Sequence, residues 1–360
     1  MKSAGGGNRA EGVGLGPSPL SRTMPIPPIS EQTLVITGAT SGIGLSTALD
    51  AARRGARLVL VARDAADLDA AAEQCRALGA DVETVAADVG ERGALDEAAA
   101  RAVARFGGFD TWVNNAGVSI YGDLRDVPED DARRLFDTNY WGTVHGSLVA
   151  AAHFRTRNAD RPGVLVNVGS VLSDRAIPLQ GHYCASKHAV KGFTDALRME
   201  LAEEGVPVRV VLVKPSAIDT PYVEHAGNYM DVEGRLPTPA YAPDVVAAAI
   251  LRAAEHPQRS VTVGGKDGLL SVFGQFAPKL TDRIMEATFF SQQRGGGPAP
   301  ADRQGTLHAP DGTGGRERGG TDGHVFESSL YTTLKQHPAA ALGAAAVAAG
   351  VAVAVAKRNR

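Results

Sequence analysis

Short apolar runs alternate with segments of helical periodicity from Thr33 to about Val263. The apolar runs predict strands at residues 34–36, 57–62, 82–86, 111–113, 164–168, 208–213 and 260–263. Strands that alternate with helices form parallel sheets covered on both faces, so the pattern predicts an α/β fold. We expect one doubly wound domain over 31–265, with a parallel sheet of about seven strands and a ligand at their carboxyl ends.

The two flanks of this domain depart from the alternation. Residues 1–30 are rich in Gly, Pro and Ser and lack the apolar core of a signal peptide, which predicts a disordered tail with Met24 as a candidate translation start. Apolar residues recur at helical spacing over 266–291, interrupted by Pro278, which predicts an amphipathic helical extension. Packing on the domain or on a dimer surface is the favoured role of this extension, and a membrane-facing flap is the alternative.

The last two segments differ in composition. Residues 292–337 are poor in apolar residues, and the run from Gln292 to Gly323 predicts a flexible linker. Residues 338–360 predict an Ala/Val-rich helix in which 339–356 carry no charge, long enough at roughly 27 Å to span a bilayer core. Alanine contributes little to insertion, so two alternatives stay open: a membrane anchor, or a helix that docks on protein or frays in water.

Charge and cysteine content exclude some classes of function. A formal net charge of -3 at pH 7 gives no basic footprint, which argues against nucleic acid as a partner. Cys75 and Cys184 have neither metal-ligand spacing nor the pattern of a disulfide framework. The sequence therefore predicts a cytoplasmic protein without a metal site, with membrane association through 339–356 as the exception.

A glycine-rich turn, from Thr37 to Gly44, joins the first predicted strand to a helix. Glycines can adopt backbone angles closed to other residues, and the last of them lets the helix approach the strand closely. The N–H groups at the helix N-terminus attract a pyrophosphate, so the turn predicts dinucleotide binding of the Rossmann type. The candidate contacts are Gly38, Ser41, Gly42, Ile43 and Gly44.

The end of the second strand bears on the choice of cofactor. In a dinucleotide fold an acidic residue here bonds the ribose 2′-OH of NAD, whereas an arginine can hold the 2′-phosphate of NADP. Ala62 stands where the acid is expected and Arg63 follows it. This favours NADP(H) over NAD(H), the alternative being a solvated Arg63 with Asp64 at the ribose.

Tyr183 and Lys187 are candidates for proton transfer. They lie four residues apart in a segment of helical periodicity and so project from one face of one helix. A phenol has a pKa near 10, and a neighbouring ammonium lowers it by favouring the phenolate. The pair is therefore expected to act in general acid–base chemistry near neutral pH.

Together the glycine turn, the run Asn114-Asn115-Ala116-Gly117 and the Tyr183/Lys187 pair resemble the classical short-chain dehydrogenase/reductase family. The resemblance implies a catalytic tetrad in which Ser170 orients the substrate oxygen and Asn139 maintains a proton relay. The cofactor contacts that it further implies are Asp88, Val89, Asn115, Ala116, Gly117, Tyr183, Lys187, Pro215, Ile218 and Thr220. Ser216 departs from the family pattern, which has a glycine after the proline.

This resemblance implies an oxidoreductase that interconverts a secondary alcohol and a carbonyl compound, and Arg63 favours NADP(H) as its cofactor. Two segments, 171–182 and 219–243, are expected to wall the substrate pocket, and their low charge favours an apolar, lipid-like substrate. Family resemblance also favours a homodimer or homotetramer. Two alternatives are a non-catalytic NADP-binding regulator and an interaction protein that works through its tails.

Overall fold

The computed structural model describes residues 25–158, 160–265 and 276–336 of the 360-residue chain. The candidate start at Met24, the first part of the predicted extension (266–275) and the predicted helix over 338–360 lie outside the described residues.

A seven-stranded parallel sheet forms the centre of the molecule, with strand order β11-β7-β6-β4-β1-β2-β3. In chain order the strands are β1 (Thr33–Thr37), β2 (Arg57–Ala62), β3 (Val82–Ala86), β4 (Thr111–Asn114), β5 (Ile120–Tyr121), β6 (Gly163–Val168), β7 (Val208–Pro215), β8 (Gly227–Asn228), β9 (Val232–Gly234), β10 (Ala240–Tyr241), β11 (Ser260–Val263), β12 (Arg294–Pro298) and β13 (Val325–Phe326). The chain reverses its direction of winding beside β1, where β2 pairs on one side and β4 on the other. This confirms the predicted doubly wound fold and places a ligand crevice at the carboxyl end of β1.

Helices cover both faces of the sheet. They are α1 (Gly42–Arg53), α2 (Ala65–Ala77), α3 (Arg92–Phe106), α4 (Glu129–Phe136), α5 (Gly142–Arg155), α6 (Gly181–Glu203), α7 (Tyr222–His225), α8 (Pro243–Glu255), α9 (Pro278–Gln292) and α10 (Leu330–Gln336), with a π-helical turn at Asp137–Trp141 between α4 and α5. Along β1, Leu34 and Ile36 join the core on the α1, α2 and α8 side, whereas Val35 joins the core under α3, α5 and α6. This two-sided burial explains why the strands are apolar without interruption.

The C-terminal extension lies against the domain. Strand β12 pairs antiparallel with β9, and β13 pairs parallel with β10. In α10 the hydroxyl of Thr332 accepts from the backbone N–H of Gly264 at 3.1 Å, next to β11. The sequence predicts a flexible linker over this part of the chain; in the structure residues 292–336 instead make specific backbone contacts, which composition does not reveal.

One helix begins at the break that the sequence predicts, and another changes pitch. Pro278 begins α9, because a proline in the first turn removes an N–H that has no intrahelical acceptor. The predicted single helix around Asn139 contains the π-helical turn. No described helix combines the length and the apolarity that crossing a bilayer requires.

Candidate active site

The glycine-rich turn between β1 and α1 has the backbone geometry of a phosphate cradle. Gly38 (φ +64°) and Gly42 (φ +51°) lie in the left-handed region that favours glycine. A Cβ atom on Gly44 would lie 2.0 Å from the carbonyl oxygen of Gly38, so a side chain there would fill the turn. These residues therefore fit a pyrophosphate at the N-terminus of α1.

Asn115, at the end of the neighbouring strand β4, braces this turn. Its side-chain amide donates to the carbonyl oxygens of Thr37 at 3.0 Å and Gly38 at 3.1 Å. In return the Thr37 hydroxyl accepts from the backbone N–H groups of Asn115 at 3.0 Å and Ala116 at 3.1 Å. The four bonds tie the β4 turn to the glycine turn, so the two strand ends form one rigid surface.

Tyr183 and Lys187 lie side by side on α6. The Lys187 Nζ atom is 5.7 Å from the centroid of the Tyr183 ring and donates to the carbonyl oxygen of Val168 at 3.0 Å. Burial lowers the pKa of Lys187 to about 8. Burial also raises the pKa of Tyr183 to about 12, against the opposing effect of hydrogen bonds with Ser170 and Tyr222.

The direction of the Tyr183 shift differs from the sequence expectation. The sequence predicts that the Lys187 ammonium lowers the pKa of the phenol, but in the structure burial is the largest influence on that pKa. Exclusion of water penalises the phenolate and the ammonium alike, so each group is pushed toward its neutral form. The Tyr183 phenol is therefore protonated at neutral pH.

Ser170 and Asn139 hold the reacting centre from two other elements. Ser170 lies two residues after the end of β6, and its hydroxyl bonds Tyr183 and accepts from the backbone N–H of Leu172 at 3.1 Å. Asn139, in the π-helical turn, accepts from the N–H of Val118 at 2.8 Å and donates to the Val118 carbonyl at 2.9 Å. A π-helical turn inside a helix is frequent at functional sites, and here it aims Asn139 at the segment after β4.

A cavity opens in front of Tyr183, and a second cavity adjoins it. The first is lined by the predicted residues Ile43, Asn115, Gly117, Ser170, Tyr183, Lys187, Pro215, Ile218 and Thr220. The second is lined by Gly38, Ser41, Arg63, Asp88, Val89, Ala116 and Gly117. Gly117 belongs to both, so the two cavities run end to end along the carboxyl edge of the sheet.

The remaining predicted residues lie directly behind these walls. A Cβ on Gly42 would lie 3.0 Å from Thr220, which places Thr220 against the glycine turn. A Cβ on Gly117 would lie 3.3 Å from Asn139 Oδ1 and 3.6 Å from Lys187 Nζ. Asn139 thus approaches the site from behind Gly117, next to the lysine.

Apolar side chains dominate the rest of the first cavity. They come from the segment after β6, from the segment around α7, and from α9: Val171, Leu172, Ile177, Tyr222, Leu236, Met285 and Phe289. Arg175 also reaches the wall, where its guanidinium pairs with Asp282 of α9. The cavity therefore offers an apolar surface to whatever lies beside Tyr183.

Sequence reasoning missed the contribution of α9 to this wall. Met285 is 5% exposed and packs with Ile177 and Cys184, with Phe289 against the same cluster. The helical spacing of apolar residues indicates that α9 has a buried face. It does not indicate which surface that face covers.

At the far end of the second cavity Arg63 contacts the C-terminal extension. We call residues 303–321 the strap, because they cross the carboxyl edge of the sheet. Arg63 donates to the carbonyl oxygens of Thr306 at 2.6 Å and Leu307 at 3.1 Å. Burial lowers the pKa of this guanidinium. Arg63 is therefore half-buried and bonded, not the solvated side chain that the sequence leaves open as an alternative.

The strap also contacts the glycine turn. The N–H of Gly42 donates to the carbonyl oxygen of Arg316 at 3.0 Å, and the N–H of Gly315 donates to the carbonyl oxygen of Thr40 at 2.8 Å. Leu307 is fully buried and packs in the cluster that contains Tyr183. No sequence motif marks the strap, and its contacts with Arg63 and the glycine turn are made by its backbone atoms.

Asp88, after β3, is held by charged neighbours. Burial acts to raise the pKa of its carboxyl, but the hydrogen bonds from Arg134 and the Gly90 N–H, together with the charge of Arg63, hold that pKa below its usual value. Asp88 is thus ionised beside the second cavity at neutral pH. Within the ranges that the structure describes, no group of three or more His, Cys, Asp or Glu side chains could hold a metal ion.

Comparison with known proteins identifies relatives of the whole domain. The family model described as short chain dehydrogenase matches residues 32–230. An uncharacterized oxidoreductase of Bacillus subtilis, YxnA, is 41% identical over 333 residues, which are 92% of this chain and 92% of that protein. The similarity to YxnA extends well beyond the match to the family model.

A relative with a named activity and a solved structure are also similar. The 1-deoxy-11-beta-hydroxypentalenate dehydrogenase of Streptomyces avermitilis is 38% identical over 196 residues, covering 54% of this chain and 71% of that protein. A short chain dehydrogenase/reductase from Burkholderia phymatum, solved in complex with NAD, superimposes with a TM-score of 0.62 at 26% identity. That superposition covers 69% of this chain and 94% of the Burkholderia chain.

Proposed function

Since the chain belongs to the short-chain dehydrogenase/reductase family, and is thus an NAD(P)-dependent oxidoreductase, we propose that it interconverts apolar secondary alcohols and ketones with NADP(H). The observation that carries this proposal is the first cavity. There the hydroxyl groups of Tyr183 and Ser170 are hydrogen-bonded to each other within a largely apolar wall. A substrate oxygen can meet these two polar groups while the rest of the molecule contacts hydrocarbon.

The mechanism assigns each side chain a task that its position allows. When bound, the nicotinamide supplies or accepts a hydride. In the reductive direction Tyr183 gives the proton on its Oη to the carbonyl oxygen, and in the oxidative direction it takes that proton back. Ser170 orients the oxygen, since its hydroxyl already bonds Tyr183.

Lys187 and Asn139 support the proton transfer. The protonated Lys187 favours the phenolate that remains on Tyr183 after the transfer, and its bond to Val168 holds the ammonium in place. Asn139 holds the Val118 segment and donates to Ser186 Oγ at 3.0 Å, next to Lys187 on α6. Apolar walls exclude water, which strengthens each of these electrostatic interactions.

Arg63 supports the preference for NADP(H). It is the only cation among the described residues that line the second cavity, and it lies at the end of β2, where the adenine ribose is bound in this fold. The carboxylates of Asp64, Asp67 and Asp311 line the same cavity and would oppose a 2′-phosphate. Since the Burkholderia structure holds NAD, both cofactors have to be compared.

The substrate proposal has support from one relative. The Streptomyces protein is named as a dehydrogenase of a hydroxylated compound, which agrees with an alcohol as the substrate here. A non-catalytic NADP-binding regulator remains the alternative function, but this chain retains both Tyr183 and Lys187 at hydrogen-bonded, buried positions.

The direct experiment incubates the purified protein with NADPH or NADH and a panel of ketones of increasing chain length and ring number. We expect consumption of NADPH with apolar ketones and little with sugars or keto acids. Binding of NADPH without turnover of any ketone or alcohol would instead support the regulator. Failure to bind either cofactor would overturn the proposal.

Two further proposals concern assembly and location. We propose a homodimer or homotetramer, which light scattering of the purified protein tests directly. We also propose that 339–356, outside the described residues, contacts membranes while the domain works in the cytoplasm. The basic residues that follow this uncharged stretch would add attraction to anionic lipid headgroups.

A further inference from the structure

A chain of buried polar side chains leads away from the hydroxyl of Tyr183. The Tyr183 and Tyr222 rings meet edge to face with centroids 5.7 Å apart, and the interaction of the Tyr222 hydroxyl with Tyr183 acts to lower the pKa of Tyr183. The Oη atom of Tyr222 lies 2.7 Å from Ser119 Oγ and 2.8 Å from Gln180 Oε1. The chain continues from Gln180 Nε2 to Gln293 Oε1 at 2.7 Å.

Gln293, from the C-terminal extension, sets the direction of this chain. Its Nε2 donates to the carbonyl oxygens of Pro178 at 2.8 Å and Phe289 at 3.2 Å. A carbonyl oxygen cannot donate, so the Gln293 amide has one orientation, and its Oε1 must face Gln180. Gln180 therefore presents Nε2 to Gln293 and Oε1 to Tyr222.

The orientation of Gln180 controls the proton of Tyr222. Gln180 Oε1 carries no hydrogen and accepts from Tyr222. While the Tyr222 proton points at Gln180, the lone pairs of Tyr222 Oη face Tyr183. A neutral Tyr183 can then donate to Tyr222. Ser119 Oγ lies 2.7 Å from the same oxygen, and its own proton can turn toward Tyr222 when the Tyr222 proton points at Gln180.

We propose that Tyr222 is a positioning residue for Tyr183, and that Gln180 and Gln293 set the direction of its hydroxyl. Tyr222 accepts from Tyr183 while the phenol is neutral. After Tyr183 has given its proton to the substrate oxygen, the Tyr222 hydroxyl turns and donates to the phenolate. Ser119 Oγ, 3.4 Å from Gln180 Oε1, then supplies the donor that Gln180 loses. No covalent bond of Tyr222 breaks in this rotation.

The surroundings of Tyr183 make such a donor important. The titratable groups that face its ring or hydroxyl are Lys187 and Cys184 on α6, Tyr121 on β5 and Tyr222 on α7. Lys187 is the only cation in this set, and Tyr183 is 9% exposed, so water offers little solvation. The phenolate thus depends on Ser170 and Tyr222 for hydrogen bonds.

The first test removes one hydroxyl. Tyr222→Phe keeps the ring packing. Tyr229→Phe is the matched control, since it removes a phenol hydroxyl from the same segment, and that hydroxyl bonds Asp131 instead of Tyr183. The ionisation of Tyr183 is followed by tyrosinate absorbance with NADP⁺ present, as the difference between each protein and its Tyr183→Phe counterpart. We expect Tyr222→Phe to raise this pKa by about one to two pH units, because a hydrogen bond to a charged acceptor is lost. Tyr229→Phe should leave it unchanged.

The second test should shift the pKa of Tyr183 in the opposite direction. Gln293→Met keeps the length of the side chain but removes the amide, so Gln180 can turn its Nε2 toward Tyr222. The Tyr222 proton is then free for Tyr183, and we expect the pKa of Tyr183 to fall below that of the parent. A structural role alone would not move the two variants in opposite directions. Gln293→Met carries the test by itself should Tyr222→Phe fail to fold.

The proposal rests on the proposed function, yet the two can fail separately. The tyrosinate titration needs no substrate, so a protein that turns over no ketone still reports on the relay. With an active substrate, the pH profile of kcat for oxidation should shift upward for Tyr222→Phe while KM for NADP⁺ stays the same. An unshifted Tyr222→Phe titration, or an equal shift in Tyr229→Phe, would overturn the proposal. An unshifted Gln293→Met titration would overturn the role of Gln180 and Gln293, and with it the whole proposal where Tyr222→Phe does not fold.

Discussion

The sharpest structural prediction concerns Gly44, where the glycine turn meets α1. An alanine Cβ at this position would lie 2.0 Å from the carbonyl oxygen of Gly38 and 2.6 Å from Asn115 Nδ2. Since such contacts do not occur below about 3.0 Å, α1 and the β1 turn must separate by about 1 Å. The obstacle is backbone, which cannot move aside as a flexible side chain would.

The expected magnitude follows from that displacement. Overpacking of this kind costs about 1–3 kcal/mol in the free energy of unfolding. For a domain of this size each kcal/mol corresponds to about 2–4 °C in the unfolding midpoint. A shift of about 1 Å in the cradle should also weaken cofactor binding, because the Asn115 bonds to Thr37 and Gly38 depend on the same geometry. The misplaced cofactor should lower turnover by on the order of 10²-fold.

Thermal unfolding with and without NADPH measures the effects on stability and on binding. Gly44→Ala should unfold at a lower temperature and gain little from NADPH, whereas the parent should be stabilised by it. Gly192→Ala is the matched control: it lies within α6, and a Cβ there would meet nothing within 4 Å. That control should be as stable as the parent or more so by up to about 1 kcal/mol. A Gly44→Ala protein that binds NADPH like the parent would refute the reasoning.

Three further predictions address the cofactor, pH stability and the C-terminus. Arg63→Ala should weaken the binding of NADPH by about 10-fold or more relative to that of NADH. Loosening of the strap affects both cofactors equally, so the ratio of the two dissociation constants reports on the contact with the 2′-phosphate. An unchanged ratio would make Asp64 the candidate for the ribose contact. Burial acts to raise the pKa of Asp110. The hydrogen bonds from the Thr33 N–H and Arg157, with the charges of Arg157 and Arg161, outweigh burial and lower that pKa. Its stabilisation is therefore present at neutral pH and lost as pH falls below about 4, so Asp110→Asn should lower the unfolding midpoint at pH 7 and converge with the parent in acid. Truncation after Gln336 keeps every described contact and should abolish sedimentation with anionic vesicles but not reductase activity; equal sedimentation of both forms would contradict membrane contact through 339–356.

The fold could be predicted because its signal is local. Each central strand is a short apolar run, as in β1, where successive side chains are buried in opposite cores. The glycine turn could be predicted for the same reason, since the positive φ angles of Gly38 and Gly42 and the close approach of Gly44 to Gly38 arise within eight residues.

The C-terminal extension could not be predicted in the same way. The strap binds Arg63 and the glycine turn through the carbonyl oxygens of Thr306, Leu307 and Arg316, and a backbone carbonyl leaves no trace in the sequence. Gln293 lies 113 positions from Gln180, so no periodicity connects the two. Low apolar content predicts flexibility, but here hydrogen bonds to distant residues and the burial of Leu307 hold the segment in place.

The central claim is that Tyr183 transfers the proton in a hydride-transfer reaction. Tyr183→Phe deletes one hydroxyl and almost no volume, so folding and NADPH affinity should stay close to those of the parent. Turnover of the best ketone with NADPH should fall by ~10²–10⁴, the usual contribution of general acid–base catalysis. Turnover within a factor of about two of the parent, with NADPH affinity unchanged, would contradict the account.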